Sequence, residues 1–409
     1  MSAGLIVVVL SLLLGIQPIA TDLYLPALPA LTEGFGASMH QAQLTLTALL
    51  LAFGLSQLAW GPLSDRFGRR PILLWGMAAF VLASVGSLFA TSMEQLIAWR
   101  TVQGVAMGSA VMCARAIVRD LYGPAEGARV MSKGLTGLGV FACICAPLGG
   151  LLSDLVNWRA TLGALAVFGA VTLALLASRF QETLKTPNPR ALEPREMLRI
   201  WAQILRHPVF WTFTLLATTS YAGLFTFLAT SSFVFIKVLG LSKTHYGLLM
   251  ASMSGVYILG TLLCRRLLPR LGIRRTVAIA GAFTLTGGTI MGVLGLAGLH
   301  NSWAIMLPYY LFILAHGVHQ PCGQSGAVAA FPQAAGAASA QSGFIMMVAA
   351  FLMGRWIGGN LSASADATVL PMTNGMWFWS VMIALVAWTL VQRYGEVRQP
   401  PQRNPAPAT

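Results

Sequence analysis

Apolar residues fall into long runs separated by short polar connections. Runs such as "PILLWGMAAFVLASVGSLFA" from Pro71 and "ATLGALAVFGAVTLALLAS" from Ala160 hold about 20 residues, enough for a helix to cross the hydrocarbon core of a bilayer. Twelve such runs occur, and they begin near residues 4, 41, 71, 94, 129, 158, 209, 245, 276, 303, 338 and 374. The pattern predicts an all-α polytopic membrane protein with twelve transmembrane helices.

One long polar connection, "RFQETLKTPNPRALEPREMLRIWAQILRH", divides the twelve runs into two sets of six. We therefore predict an N-terminal six-helix half at 1–180, a cytoplasmic linker at 181–207 and a C-terminal six-helix half at 208–395. The Pro-rich tail at 396–409 is predicted to be disordered. A two-half organisation is common among transporters.

The charges agree with a membrane location and predict an orientation. Only 9% of residues are charged, against about 25% in soluble domains. Of the 26 lysines and arginines, 21 lie in the tail and in the connections on one side, which predicts that both termini are cytoplasmic. The net charge of +14 then faces the cytoplasm and anionic lipid, so it requires no nucleic-acid partner.

Composition also argues against enzymes and metal sites. The five cysteines are odd in number and lie in or at the ends of apolar runs, so neither disulfides nor a thiol metal site is predicted: Cys113, Cys143, Cys145, Cys264 and Cys322. No paired carboxylates and no Ser/His/Asp order stand out. We predict neither catalytic residues nor a bound metal.

The most specific string is "GPLSDRFGRRP", between the second and third runs on the predicted cytoplasmic side. It resembles the signature loop of the major facilitator superfamily, which implies that fold and a conformational latch. We expect Asp65 and Arg66 to pair with Asp120 and to hold the cytoplasmic ends of helices two, three and four to the other half. The full latch set is Gly61, Asp65, Arg66, Gly68, Arg69, Arg70 and Asp120.

The second half carries a reduced version of this loop, "LCRRLLPRLGIRRTV", between runs eight and nine. Arg270, Gly272, Arg274 and Arg275 match the basic and glycine positions of the first loop with slightly different spacing, and the aspartate is missing. This correspondence supports duplicated halves.

The fourth run contains an arginine in "WRTVQGVAMGSA". Arg100, Gln103 and Met107 share a helix face, and an intramembrane arginine is costly unless it points into the bundle. The segment resembles the R-x-x-Q-G motif of the superfamily, which is associated with proton transfer. The alternative is an arginine bonded to interior carbonyls.

The fifth run, "GLGVFACICAPLGGLLSDLVNWR", contains small residues around a proline. It resembles the motif of proton-coupled exporters in the superfamily, carried here by Ala146, Pro147, Gly149 and Gly150. Ala146 stands where the family has its first glycine. Close helix packing would also explain these residues.

The first run ends in "QPIATDLYLPALPAL". Gly15, Pro18, Asp22, Pro26 and Pro29 are spaced three, four, four and three residues apart, which predicts one stripe along a single helix facing protein or a cavity. An intramembrane carboxylate is a candidate proton carrier. The alternative for Asp22 is a helix cap near the outer interface.

"TDLYLPALPAL", taken with the signature loop and the twelve spans, resembles the bicyclomycin and chloramphenicol resistance subfamily of drug:proton antiporters. The resemblance implies that Asp22, with Tyr24 beside it, takes part in substrate and proton binding, and that Asp22 and Arg100 couple the two. It is concentrated in the first half of the chain.

The second half carries weaker signals. His316, His319 and Gln320 share a face of run ten, where they line a polar cavity or bond between helices; two histidines alone make a poor metal site. Arg355 faces the cavity or extends outward. The predicted cavity residues are Tyr24, Gln103, Met107, Tyr221, Phe225, Tyr257, His316, His319 and Gln320.

The resemblance implies proton-coupled efflux of amphipathic small molecules, such as antibiotics, by a monomer in the bacterial inner membrane. The expected partners are substrate, protons and membrane lipid, and no cofactor is expected beyond the proton gradient. One alternative is an uptake symporter or facilitator on the same fold, and another is a receptor or scaffold. The fifth run favours an exporter. The sequence shows no large extra domain of the kind that would indicate a receptor.

Overall fold

The computed structural model describes residues 1–122, 124–187, 189, 191–331, 334–363 and 368–395, and the predicted tail at 396–409 lies outside them. The long helices are α1 (Ala3–Thr21), α3 (Met39–Phe67), α4 (Arg69–Leu88), α5 (Met93–Leu121), α6 (Pro124–Leu155), α7 (Trp158–Arg179), α9 (Pro208–Ser232), α10 (Lys243–Leu296), α11 (Ser302–Ala329), α12 (Ala335–Ala363) and α13 (Leu370–Trp388). Shorter helices are α2 (Leu28–Gly34), α8 (Pro194–Leu205) and α14 (Leu390–Tyr394), and a π-helical turn at Phe233–Val238 follows α9.

The helices begin close to the predicted starts of the twelve spans. Ten described segments are long and apolar enough to cross a membrane. One of these is α10, whose 54 residues cross twice because the helix breaks at Gly272. The remaining span is α11, whose apolar character is reduced by polar residues such as His316 and Gln320. The prediction of an all-α fold with twelve spans is confirmed, whereas the orientation of the termini stays a prediction.

Short polar side chains fix where several spans begin. Ser38 accepts a hydrogen bond from the backbone N–H of Gln41, and the Gln41 side chain accepts one from the backbone N–H of Ser38. Asn157 caps α7 in a similar way through the N–H of Ala160. Such caps satisfy N–H groups that a helix start leaves without an intrahelical partner.

The first six and the last six spans meet along two helix pairs, α3 with α12 and α6 with α10. Glycine allows the close approach: a Cβ at Gly54 would lie 2.5 Å from Cβ of Met347 on α12. We call the end of the bundle where α1 stops and α10 starts the Asp22 end. The opposite end, where α3 stops and α4 starts, is the Asp65 end.

The breaks at Gly68 and Gly272 share one backbone geometry. Gly68 has φ 99° and ψ 161°, and Gly272 has φ 69° and ψ 174°. This region of backbone space is essentially restricted to glycine. The two predicted copies of the loop therefore turn the chain between spans in the same way, which supports the duplicated halves.

Candidate functional site

The first span is interrupted at Asp22. The helix α1 stops at Thr21, and a 3-10 turn at Leu25–Ala27 leads into α2. Pro26 and Pro29, which lack an N–H donor, occupy the first turns of these two short elements. The predicted first helix is therefore one span with an interrupted hydrogen-bond ladder: Ala3–Gly34 forms a single candidate span, and Gly15, Pro18, Pro26 and Pro29 are all buried.

Asp22 lies at the seam between the two sets of six spans. Its backbone N–H bonds the carbonyl of Pro18 at 2.7 Å, and its Oδ1 accepts a 2.8 Å hydrogen bond from the Thr21 hydroxyl. The side chain is half-buried and borders a cavity of about 10 Å³, room for about one water. The cavity is lined by Asp22, Leu25, Ala142, Ala146, Leu228, Met250, Met253 and Ser254. These residues come from both halves, so a group carried by Asp22 faces the inter-half seam.

At the Asp22 end the two halves are in direct contact. The Asp154 carboxylate on α6 accepts hydrogen bonds from the Thr244 N–H at 3.0 Å and the Thr244 hydroxyl at 2.8 Å. Lys243 Nζ lies 3.6 Å from the same carboxylate. Because Thr244 is in the first turn of α10, this acid also interacts favourably with the helix dipole. A second ion pair joins Glu33 to Lys237; Glu33 lies in α2, which follows the interruption of the first span.

The predicted antiporter motif forms part of this contact. Gly149 packs against the carbonyl of Leu23, just beyond Asp22. A Cβ at Gly150 would lie 2.5 Å from the carbonyl oxygen of Lys243. Ala146 borders the cavity, and Gly247 of α10 packs against Ala146 and Pro147. Small residues here let α6 approach both the interrupted first span and α10.

We expect the variant Gly150→Ala to separate the halves at the Asp22 end, because the added methyl has no space beside the Lys243 carbonyl. Overpacking of this kind costs about 1–3 kcal/mol, enough to change a conformer ratio about 5- to 150-fold. Spin labels at the exposed residues Val156 and Leu299 should report a longer distance by double electron–electron resonance. The matched control is Gly139→Ala on the same helix, where a Cβ meets nothing within 4 Å; identical distances in both variants would contradict the expectation.

Arg100 lies inside the first six spans, away from the cavity at Asp22. It is fully buried, donates a 2.6 Å hydrogen bond to the carbonyl of Ala20 and lies 4.4 Å from the ring centroid of Tyr24. Its guanidinium also donates to Gln103, which in turn donates to Ser84. The carbonyl of Ala20 belongs to the last turn of α1, where the helix provides no partner. The alternative of an arginine bonded to an interior carbonyl is the arrangement observed.

Other predicted cavity residues also lie in packed interiors. Tyr24, Gln103 and Met107 are fully buried, and the Tyr24 hydroxyl donates to Thr45. None of the three borders the cavity at Asp22, because α1, α3 and α5 pack closely around them; their place in a substrate cavity stays a prediction. Tyr221, in contrast, is half-buried at the seam, and its hydroxyl accepts a 3.3 Å hydrogen bond from Gln17.

The remaining aromatic residues are divided between the seam and the second half. Phe225 lies near Thr47 of α3, where α9 meets the first half. Tyr257 packs against the ring of His316 with centroids 5.7 Å apart. Arg355 is exposed on the outer surface of α12.

The polar face of α11 serves interhelical bonding. His316 Nδ1 lies 2.8 Å from the Ser220 hydroxyl of α9, and His319 Nε2 lies 3.1 Å from the Thr284 hydroxyl of α10. Gln320 donates to the carbonyl of Ala217. The three side chains bond different neighbours, and among the described residues no group of three or more His, Cys, Asp or Glu could hold a metal ion.

The signature loop forms a charge network centred on Arg69. Its guanidinium lies 2.7 Å from the Asp65 carboxylate and 2.8 Å from the Asp120 carboxylate, and Arg69 is only 1% exposed. Arg66 is exposed beside the ring of Phe67. The prediction that Arg66 completes the latch is therefore wrong. The turn at Gly68 directs Arg69, not Arg66, back between α3 and α5.

The same network corrects the predicted latch in a second respect. The charged partners belong to α3, α4 and α5, with Arg119 3.5 Å from Asp65, so the network ties helices of the first half to one another. A contact with the second half comes from Arg115, which donates a 2.5 Å hydrogen bond to Ser339 of α12.

Glu182, which sequence reasoning missed, caps α4 from beyond the sixth span. Its carboxylate accepts the backbone N–H groups of Arg69 and Arg70, each at 2.9 Å. The Arg70 side chain returns the contact by donating to the carbonyl of Phe180. A lone acid after a basic span end, in "RFQETL", was the available signal. Gln17 and Ser254 at the seam were also missed, although Gln17 is a conspicuous polar residue in the apolar first run.

Comparison with known proteins agrees with this architecture. The chain belongs to the Major Facilitator Superfamily, whose model matches residues 10–354. It is 29% identical over 369 residues to multidrug resistance protein D of Escherichia coli strain K12, covering 90% of each chain. It is 28% identical to a chloramphenicol resistance protein of Pseudomonas aeruginosa, covering 78% of this chain and 75% of that one. A bicyclomycin resistance protein homolog of Haemophilus influenzae is 26% identical, covering 96% and 97%.

Solved structures share the fold. The partially occluded inward open xylose transporter XylE from E. coli superposes with a TM-score of 0.74 at 14% identity, covering 97% of this chain and all of that one. These relatives confirm the resemblance to the bicyclomycin and chloramphenicol resistance subfamily. The family also confirms the prediction that the protein is a multi-pass membrane transporter and not an enzyme.

Proposed function

We propose that this protein exports amphipathic small molecules, antibiotics among them, in exchange for protons. The observation that carries the proposal is Asp22: a half-buried carboxylate at the break of the first span, beside a cavity lined by both halves. Three relatives named for resistance to multiple drugs, chloramphenicol or bicyclomycin support the substrate class. Asp22 binds either a proton or the substrate, so that each displaces the other.

Transport follows from rocking of the two halves about this site. In the arrangement described, Asp154 with Thr244, and Glu33 with Lys237, close the Asp22 end. Opening that end separates these pairs and the backbone contact between Gly150 and Lys243. With this outward-facing end open, the cavity expands, the bound substrate leaves and Asp22 takes up a proton; substrate enters when the Asp65 end opens instead.

Arg100 positions the site through the backbone. By donating to the Ala20 carbonyl and stacking on Tyr24, it holds the two sides of the first-span break on which Asp22 stands. Its role in coupling is therefore indirect, since it has no contact with the cavity. The protein lies in the bacterial inner membrane with its Asp65 end toward the cytoplasm. It acts as a monomer, and the proton gradient drives transport without a cofactor. A net charge moved per cycle adds about 2.3 kcal/mol per 100 mV of membrane potential.

Inside-out membrane vesicles test the exchange. A respiration-driven pH gradient, acid inside, is followed with a fluorescent weak base, and chloramphenicol or bicyclomycin is then added outside. An exchanger releases stored protons as it takes up the drug, so fluorescence recovers in proportion to drug concentration. An uptake symporter with drug added on this face gives no such recovery, and absence of recovery across a panel of amphipathic drugs would sink the proposal.

A further inference from the structure

The hydroxyl of Tyr309, in α11, is buried without a hydrogen-bond partner. The side chain is fully buried, and its hydroxyl bonds no residue in the part of the chain that the structure describes. The next residue differs, because the Tyr310 hydroxyl lies 2.7 Å from that of Ser252. A buried hydroxyl that stays unpaired destabilises a protein, so its presence at Tyr309 requires a physical reason.

Ring contacts fix the direction of this hydroxyl. The Tyr309 ring stacks on that of Phe227 in α9, with centroids 3.5 Å apart and an angle of 7° between the planes. The ring of Phe312 lies nearly parallel to it, with a centroid distance of 5.8 Å. These contacts restrict rotation of the phenol, so the hydroxyl is held as a pre-positioned donor.

Tyr309 lies on the second-half side of the Asp22 cavity. Tyr309 and Tyr246 interact electrostatically with the Asp22 carboxylate and with each other. Tyr246 is also one helical turn before Met250, which lines the cavity, so the two side chains share a face of α10. The two phenols therefore face the proton-carrying group of the first half from two different helices of the second.

The end of α9 adds two further hydroxyls. Leu228 lines the cavity, and Ser231 and Ser232 follow it by three and four residues on the same helix face. The Ser231 hydroxyl lies 2.7 Å from that of Tyr246, whereas the buried Ser232 hydroxyl bonds none of the described residues. The π-helical turn at Phe233–Val238 begins at the next residue, and such turns are frequent at functional sites. We call these four residues the hydroxyl cluster: Ser231, Ser232, Tyr246 and Tyr309.

The hydrogen bonds of the hydroxyl cluster favour ligand binding over proton conduction. A proton relay passes through groups that are bonded in series, but within the described residues Tyr309 and Ser232 are each unbonded. A ligand site instead consists of apolar walls with a few free polar groups, which matches a phenol held between aromatic rings. A free phenol O–H needs an acceptor. The matching ligand is an apolar molecule with a neutral hydrogen-bond acceptor.

We propose that the hydroxyl cluster is the second-half part of the transport site, in which Tyr309 donates a hydrogen bond to an amide carbonyl or nitro group of the transported molecule. The inference rests on the proposed function and specifies its substrate class. The contact forms when rocking of the halves widens the cavity enough to hold substrate. Tyr309 then sets specificity, because a molecule without an acceptor leaves its hydroxyl unpaired.

Two matched variants test the inference. Tyr309→Phe removes only the unbonded hydroxyl, and Tyr310→Phe makes the same change at the neighbouring residue that bonds Ser252. Radiolabelled chloramphenicol, which carries an amide carbonyl and a nitro group, is titrated against the detergent-solubilised protein. We expect Tyr309→Phe to raise the Kd about 2- to 12-fold, the range of one net neutral hydrogen bond, and Tyr310→Phe to leave it unchanged.

Drug-induced proton release from inside-out vesicles separates binding from exchange. In Tyr309→Phe the chloramphenicol concentration for half-maximal release should rise by the same factor as the Kd, while the maximal rate stays at the wild-type value. An unchanged Kd would overturn the inference. A lower maximal rate at unchanged Kd would also overturn it, because the hydroxyl then serves the proton step.

Thermal unfolding excludes a purely structural role. Because the Tyr309 hydroxyl bonds no described residue, Tyr309→Phe should unfold at or above the wild-type temperature. A lower unfolding temperature together with a raised Kd would overturn the inference. If the wild type binds chloramphenicol but releases no protons, the proposed exchange fails and the Kd values still decide the role of Tyr309. If the wild type binds no chloramphenicol, the hydroxyl cluster is not a site for such acceptors.

Discussion

Replacing Asp22 by asparagine is expected to abolish proton-linked efflux while the protein folds and inserts normally. The substitution keeps the size of the side chain and its contact with Thr21 but removes the group that can take up and release a proton. Because the carboxylate borders the cavity at the seam, its loss affects the exchange and not the packing of the spans. Drug-induced proton release from inside-out vesicles should fall to the level of vesicles without the protein.

The matched variant is Asp22→Glu, which retains a carboxylate and should keep part of the exchange. Both variants should be present in the membrane in equal amounts and should unfold at the same temperature in detergent. If Asp22→Asn still drives a drug gradient against protons at the normal rate, Asp22 has no part in coupling.

Replacing Arg69 by methionine should destabilise the protein strongly, whereas the same change at Arg66 should not. Arg69 is buried and pairs with both Asp65 and Asp120, and Asp120 is itself only 11% exposed. Breaking a buried pair by removing one partner costs about 3–5 kcal/mol, and Asp120 would keep only the exposed Arg119 at 4.0 Å and the Thr183 hydroxyl at 3.3 Å. Arg66 is exposed in the same loop, so Arg66→Met should change the free energy of unfolding by about 0.5 kcal/mol or less.

Thermal unfolding of the detergent-solubilised variants, followed by a thiol-reactive dye on the buried cysteines, measures the difference. Arg69→Met should unfold at a clearly lower temperature than the wild type, and Arg66→Met at the same temperature. Equal unfolding of the two variants would mean that the network contributes nothing beyond an exposed loop charge.

The spans, their number and the main turns were accessible from the sequence. Twelve apolar runs of bilayer length, separated by polar connections, directly predict the number and the approximate limits of the spans. Capping residues such as Ser38 and Asn157 mark where helices start, because their side chains accept hydrogen bonds from free backbone N–H groups. The turn at Gly68 was also readable, because glycine, basic residues and Pro71 follow one another there. Local signals of this kind depend on neighbours a few residues away.

What could not be predicted depends on contacts between distant residues. Helical spacing placed Asp22 on a stripe but contained no information on where the hydrogen-bond ladder stops. Arg66 and Arg69 are both arginines of the same loop, so residue type does not show which of them is buried. The turn at Gly68 decides this. The partner of Arg100 is a backbone carbonyl 80 positions away, and every residue has such a carbonyl. Glu182 caps a helix that begins 113 positions earlier.

The two anchors of the linker limit how far the halves can separate. Glu182 is bound to the start of α4 in the first half, and α8 begins at Pro194 on the second. The eleven residues between them can extend to about 36–40 Å at most. A tether this short holds the halves at an effective local concentration in the millimolar range. Each half therefore meets its partner again after every opening as an intramolecular event, which allows the seam contacts at Asp154 and Glu33 to be individually weak and quickly broken.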